Sequence, residues 1–269
     1  MAQAEITRVL QQHPLGLLFD IDGTLSPIAP TPDEARLYPG VAELLHEAQK
    51  YAHVGIITGR AVVDGTQLVN VDGLTYIGTH GLEWCDSHQT GQRRVELIPE
   101  AFPYVEPGKA VLDVAERELA DLPGIIVERK SVGGTIHYRL TPNPEEARIR
   151  ILAMLEAPAQ HAHMKIGEGK RAIEVLAPLT INKGQALRRF VEQFKLRGII
   201  FAGDDRTDLD AVLAVKQLRQ EGFAAHAIVV QHPDTLPALL EHADTLVQEV
   251  EGMVQQLKEM VNQLTGTDS

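Results

Sequence analysis

The run Leu15-Gly16-Leu17-Leu18-Phe19 carries no polar side chain and ends abruptly at Asp20-Ile21-Asp22-Gly23-Thr24. So short an unbroken apolar run suits a strand buried on both faces, as in a parallel sheet. Such a strand needs neighbours on both edges and helices above and below it. This one segment therefore points to an α/β architecture. It also places two carboxylates at the carboxyl end of a strand, the edge where open α/β sheets bind ligands.

The neighbouring sequence follows the same grammar. Val41, Leu44, Leu45 and Ala48 recur at helical spacing behind the turn signal Pro39-Gly40. Val54-Gly55-Ile56-Ile57 predicts a second strand, ending at Thr58-Gly59-Arg60, and 74–77 a third, ending at Thr79-His80-Gly81. After Pro178, residues Ala186, Leu187, Phe190, Val191 and Phe194 mark a helix. Residues 198–202 then read as a strand ending at Gly203-Asp204-Asp205, and 227–230 as another. The last 20 residues read as a surface helix with a loose tail.

The middle of the chain differs. An amphipathic helix with Val111, Leu112, Ala115 and Leu119 precedes two strand-like runs, 125–130 and 135–140, joined at Gly133-Gly134. This is a hairpin signal. A helix over 144–155 and a strand over 171–176 complete an α+β pattern. The expected organisation is a doubly wound parallel-sheet core from 1–103 and 178–269, with an inserted α+β cap domain over 104–177.

Composition narrows the function. The 269 residues carry a formal net charge of −12, which argues against a general electrostatic footprint for nucleic acid. An anionic substrate would need a local reversal of sign, which a bound cation supplies most simply. Cys85 is the single cysteine, so an intramolecular disulfide and a cysteine-rich zinc site are excluded. No basic-then-apolar leader opens residues 1–13 and no run approaches a membrane span, so a cytoplasmic protein with no membrane partner is expected. A monomer is compatible with the sequence, which does not fix the oligomeric state.

The polar clusters at strand ends suggest a chemistry. Asp20, Asp22, Asp204 and Asp205 offer oxygen ligands suited to Mg²⁺, which keeps several waters and needs few carboxylates. A carboxylate beside such an ion can attack phosphorus and form an aspartyl-phosphate. Asp20 suits that role. Asp22, two residues on, suits protonation of the leaving oxygen and then activation of water. Lys183, before a helix of the returning half, can offset phosphoryl charge. Gly23 permits close approach to phosphate, and Thr58 can donate a hydroxyl hydrogen bond. A calcium-binding loop is ruled out because its sixth position would be Leu25 and its twelfth Thr31. Asp208 and Asp210 read as acids of a helix start. Along the hairpin, Glu128 and Lys130 share one face, as do Thr135, His137 and Arg139 on the partner strand. Arg129 interrupts the opposite, apolar face.

Taken together, these motifs resemble those of the haloacid dehalogenase superfamily, and within it the trehalose-6-phosphate phosphatases. The resemblance covers about 15–212. Asp20-Ile21-Asp22-Gly23-Thr24-Leu25, Thr58-Gly59-Arg60, Lys183 and Gly203-Asp204-Asp205 carry the superfamily pattern. Thr79-His80-Gly81-Leu82-Glu83 is similar to the family's Ser-His-Gly-x-Glu, His137-Tyr138-Arg139 to its cap His-Tyr-Arg, and Glu128-Arg129-Lys130 to its Glu-x-Lys. Asn182-Lys183-Gly184 and the stretch from Gly203 through Arg206-Thr207-Asp208 match as well. Glu174-Val175-Leu176-Ala177-Pro178 departs from the family's Glu-x-Arg/Lys-Pro by an extra residue and a missing base, for which Lys170 or Arg171 offers a substitute.

The resemblance implies a Rossmann-like core holding Mg²⁺ through Asp20, the Asp22 main-chain carbonyl and Asp204. It implies a mobile cap that closes over a disaccharide phosphate, and products trehalose and inorganic phosphate. Substrate contacts are expected from Gly23, Thr58, Gly59, Arg60, His80 and Gly81 in the core, and from Glu128, Lys130, His137, Arg139 and Glu174 in the cap. The alternatives are a phosphatase of sucrose-phosphate or a glycosyl-phosphoglycerate, or a phosphosugar mutase, which shares the nucleophile.

Overall fold

The computed structural model describes residues 2–86, 94–169 and 171–266. Among these the helices are α1 (Ala2–Leu10), α2 (Val41–Ala48), α3 (Val62–Val69), α4 (Val105–Glu118), α5 (Pro144–His161), α6 (Lys183–Gln193), α7 (Asp208–Gln220), α8 (Pro237–His242) and α9 (Glu249–Thr265). The strands before the middle segment are β1 (Leu15–Phe19), β2 (His53–Ile57), β3 (Thr75–Gly78), β4 (Glu83–Asp86) and β5 (Glu96–Leu97). Then come β6 (Ile126–Arg129), β7 (Gly134–His137), β8 (Lys165–Gly169) and β9 (Ala172–Leu176). The strands after it are β10 (Gly198–Gly203), β11 (Ala224–Gln231) and β12 (Thr245–Gln248). The chain forms two compact units, one of Met1–Glu96 with Ile181–Ser269 and one of Leu97–Thr180.

The discontinuous unit is built on a sheet ordered β12-β11-β10-β1-β2-β3-β4-β5, and the boundary between the units falls within β5. Strands β12 through β3 run parallel, and β4 turns back antiparallel to β3. All five residues of β1 are buried, as its unbroken apolar run requires. β1 pairs with β2 on one edge and β10 on the other, with Phe19 opposite both Ile56 and Ala202. The chain leaves β1 in one direction first and fills the other direction later. The carboxyl end of β1 is therefore a topological switch point, and Asp20 is the next residue.

Helices cover both faces. On one, Ile6 and Val9 of α1, Val41 and Leu45 of α2, and Met253, Leu257 and Met260 of α9 pack with Leu17, Phe19, Ile56 and Ile200. On the other, the ring of Phe190 in α6 lies over Gly16 and Gly55. The C-terminal helix lies at the surface as expected, with Glu251, Gln255 and Lys258 exposed and one face laid on the core. Its Val250, Met253, Leu257, Met260 and Val261 recur at three- and four-residue spacing and are buried. No helix of the described residues is long and apolar enough to cross a membrane.

The second unit holds an antiparallel sheet ordered β6-β7-β9-β8, with helices α4 and α5. The helix read from 144 runs on to His161 and is capped by Asn143, whose side chain accepts from the Glu146 amide at 3.3 Å. Arg129, the exception on the apolar face of β6, is held by α4. It donates to Asp113 at 2.6 Å and to Glu116 at 2.7 and 2.9 Å.

Candidate active site

Three adjacent strands end together and set the site. β10, β1 and β2 deliver Asp204, Asp20 and Thr58 as their next residues, and the Asp20 amide donates to the Ala202 carbonyl at 2.9 Å. Asp20, Asp204 and Thr58 are all buried. Lys183, the first residue of α6, is buried too, with its chain entry fixed by Asn182, whose side chain accepts from the Gln185 amide. The Lys183 ammonium donates to Asp20 Oδ1 and to Asp208 Oδ1, each at 2.7 Å.

Asp208 is the residue that sequence reasoning assigned a lesser part. It does open α7, but its carboxylate is fully buried inside the site. Oδ2 accepts from the Asp204 and Asp205 amides at 3.0 Å each, so the same side chain orients the loop and anchors the lysine. Asp20, Asp204 and Asp208 each offer an oxygen within 4.8 Å of the others. Asp205, expected beside them as a metal ligand, turns Oδ1 toward the Thr207 amide at 2.8 Å and the Thr207 hydroxyl at 2.7 Å. That arrangement caps the start of α7.

The electrostatics are lopsided. Burial pushes the Asp20 carboxyl up to about 8 although Lys183 pulls the other way, and Asp204, Asp205 and Asp22 add to the rise. Asp208 is likewise raised by burial against the pull of Lys183. Burial works against the charge on Lys183, yet Asp20 and Asp208 hold its proton well above the ordinary lysine range. One ammonium thus faces several carboxylates in a dry pocket. The excess negative charge and the oxygen-only donor set suit a hard divalent cation.

Asp22 and Arg60 do not stand apart as acid and substrate ligand. Arg60 grips Asp22 with two hydrogen bonds, Nε to Oδ2 and an η nitrogen to Oδ1, both at 2.7 Å. A further η nitrogen donates to the Pro32 carbonyl at 3.1 Å. Arg60, expected to contact substrate, therefore positions Asp22 in this structure. The Arg60 amide in turn donates to Thr58 Oγ1 at 3.2 Å.

Gly23 has φ of 87°, and a Cβ there would lie 2.2 Å from Asp204 Oδ2. The aspartate therefore rests against bare backbone, with Thr24 Oγ1 donating to its Oδ1 at 3.3 Å. Gly23→Ala should weaken divalent-cation binding by pushing Asp204 aside and should cost about 1–3 kcal/mol of stability for the left-handed backbone. A Mn²⁺ titration and a thermal melt would check both. Unchanged cation binding in this variant would contradict the contact.

Gly59 serves His80 in a similar way, since a Cβ at 59 would lie 2.7 Å from the imidazole. Thr79 and His80 both adopt positive φ, 48° and 56°, unusual for side chains of their size. Glu83 holds this segment. Its Oε1 accepts from the Thr79 hydroxyl at 2.9 Å and its Oε2 from the Val62 amide at 2.7 Å. Gly81, with φ of 118°, follows directly.

In the Leu97–Thr180 unit, Glu128, Thr135, Glu174 and Gly167 lie in register across the sheet and share one face. His137 Nε2 lies 2.8 Å from Glu128 Oε2. Lys130 follows β6, with its amide donating to the Gly133 carbonyl. Arg139 lies beyond the end of β7 and is exposed. Arg171 sits at positive φ in the β8–β9 turn, while Lys170 lies outside the described residues.

The family model described as trehalose-phosphatase matches residues 18–235, a span that contains every residue of this site. The chain belongs to the trehalose-phosphatase family. The trehalose-phosphate phosphatase of Mycobacterium avium strain 104 is 32% identical over 235 residues, 83% of this chain and 56% of that protein. The trehalose-phosphate phosphatase of Mycobacterium tuberculosis H37Rv is 31% identical over 224 residues, 81% of this chain and 54% of its own length. The chain thus spans about half the length of the curated relatives it matches. Among solved structures, the C-terminal domain of Candida albicans trehalose-6-phosphate phosphatase superposes with a TM-score of 0.76 at 20% identity, covering 98% of this chain and 96% of that one. A trehalose-6-phosphate phosphatase related protein gives 0.76 at 24% identity, covering 94% and 98%. These two show the shared fold. The structural likeness bears out the mixed α/β architecture, and the family match bears out the resemblance to the trehalose-6-phosphate phosphatases.

Proposed function

We propose that this chain is a Mg²⁺-dependent phosphatase that releases inorganic phosphate from trehalose 6-phosphate. The observation that carries the reading is Lys183 bridging Asp20 and Asp208 at the switch point, with Asp204 within ligating reach. Family membership and the names of the relatives add the substrate.

In this reading Asp20 attacks phosphorus and carries the phosphoryl group. Asp22, released from Arg60 and protonated, gives its proton to the leaving sugar oxygen and then takes a proton from the water that attacks the aspartyl-phosphate. The Lys183 ammonium steadies Asp20 and offsets charge on the phosphoryl oxygens. Thr58 and the backbone around Gly23 and Gly59 receive the phosphate, with His80 and Gly81 beside them. Asp20, Asp204 and the Asp22 carbonyl would hold Mg²⁺, with Asp208 and Asp205 orienting the loop. The ion would supply positive charge against the transferring phosphoryl oxygens. The Leu97–Thr180 unit offers Glu128, Lys130, His137, Arg139 and Glu174 to read the disaccharide.

The test is phosphate release from trehalose 6-phosphate, sucrose 6-phosphate, a glucosyl-phosphoglycerate and glucose 6-phosphate, with Mg²⁺ and with chelator. Preference for trehalose 6-phosphate, lost on chelation and restored by Mg²⁺, is expected. Equal turnover of the panel would sink the substrate assignment. Isomerised sugar phosphate without free phosphate would point to a mutase.

A further inference from the structure

His232, just past β11, reaches the site from behind. Its Nε2 lies 2.7 Å from the Gly23 carbonyl oxygen. A carbonyl only accepts, so Nε2 donates to it. The same nitrogen stands 3.7 Å from Asp204 Oδ2. On the other side of the ring, Nδ1 lies 2.7 Å from Glu249 Oε2. Glu249 opens α9 at φ of 53°. The His232 amide is itself tied to the Thr235 hydroxyl at 2.8 Å. Ring orientation is therefore fixed at backbone and side chain alike, and its side chain is only 9% exposed.

The Gly23 backbone is the surface on which the Asp204 carboxylate rests. Whatever holds the Gly23 carbonyl also holds the wall of the proposed cation site. We propose that His232, braced by Glu249, is a positioning residue for the Asp20–Thr24 loop and for Asp204. Nothing in the motif pattern singles it out, because it lies outside the four strand-end clusters. This inference rests on the phosphatase reading for its kinetic consequence, though not for its effect on cation binding.

Groups that orient metal ligands from behind typically contribute 10- to 100-fold to affinity or activity, so His232→Ala should lower kcat about 10-fold. KM for trehalose 6-phosphate should stay within about two-fold, because the residue acts through Gly23 and Asp204 and not on the sugar. Mn²⁺ binding, followed by the electron paramagnetic resonance signal of the free ion, should weaken by about the same factor as kcat. His232→Gln places an amide N–H near the Nε2 position and should recover most of both losses. Glu249→Gln, at a side chain 60% exposed, should give a smaller loss in the same direction. Unchanged kcat, a loss confined to KM, a glutamine variant no better than alanine, or tighter Mn²⁺ binding would each overturn the proposal. If the unsubstituted protein released no phosphate, the phosphatase reading would fall, while the Mn²⁺ titrations would still decide the role of His232.

Discussion

Asp20→Asn should reduce phosphate release by on the order of 10⁴-fold or more, the scale seen when a covalent nucleophile is removed. The fold should survive. In the metal-free protein the variant should melt no lower than the parent, because asparagine keeps the shape and relieves a buried site with more carboxylates than ammonium groups. Lys183 would retain Asp208 as its partner at 2.7 Å. Phosphate release under excess Mg²⁺ and a melt with chelator measure the two arms. Substantial residual turnover would mean that water attacks phosphorus directly. A large fall in melting temperature would mean that the Lys183–Asp20 bond supports the fold.

Lys183→Met should do the opposite to stability. Its ammonium is 2% exposed and is the basic partner shown for both Asp20 and Asp208. Removing one member of a buried ion pair typically costs about 3–5 kcal/mol, because the other charge is left uncompensated. Turnover should be lost as well, since charge on the transferring group would go unopposed. A double-mutant cycle makes this specific. In the Asp20→Asn background, Lys183→Met should cost less, since one of the two stranded carboxylates is already gone. Equal costs in both backgrounds would show that the damage comes from packing and not from charge.

The sequence made the core legible because its signals are local. An apolar run followed at once by Asp20 defines both strand and site within a few residues, and β2, β3 and β10 repeat that layout. Other features needed contacts between residues remote in sequence. Asp208 reads as a helix-start acid because it is one, and only the buried lysine approaching from α6 gives it a second part. Arg60 reads as a substrate ligand, and only the structure adds its grip on Asp22. His232 has no motif at all. The buried face of α9 is another matter, since its three- and four-residue spacing is present in the sequence itself.

The placement of β1 between β2 and β10 governs how the molecule can be made. A chain emerging from synthesis would expose one edge of this wholly apolar strand until residue 198 arrives, after the whole Leu97–Thr180 unit has passed. Pairing at such sequence separation is slow, and an open apolar edge invites strand-to-strand association. The step that buries this edge also brings Asp204 beside Asp20. Protection from aggregation and assembly of the candidate site are therefore the same late event.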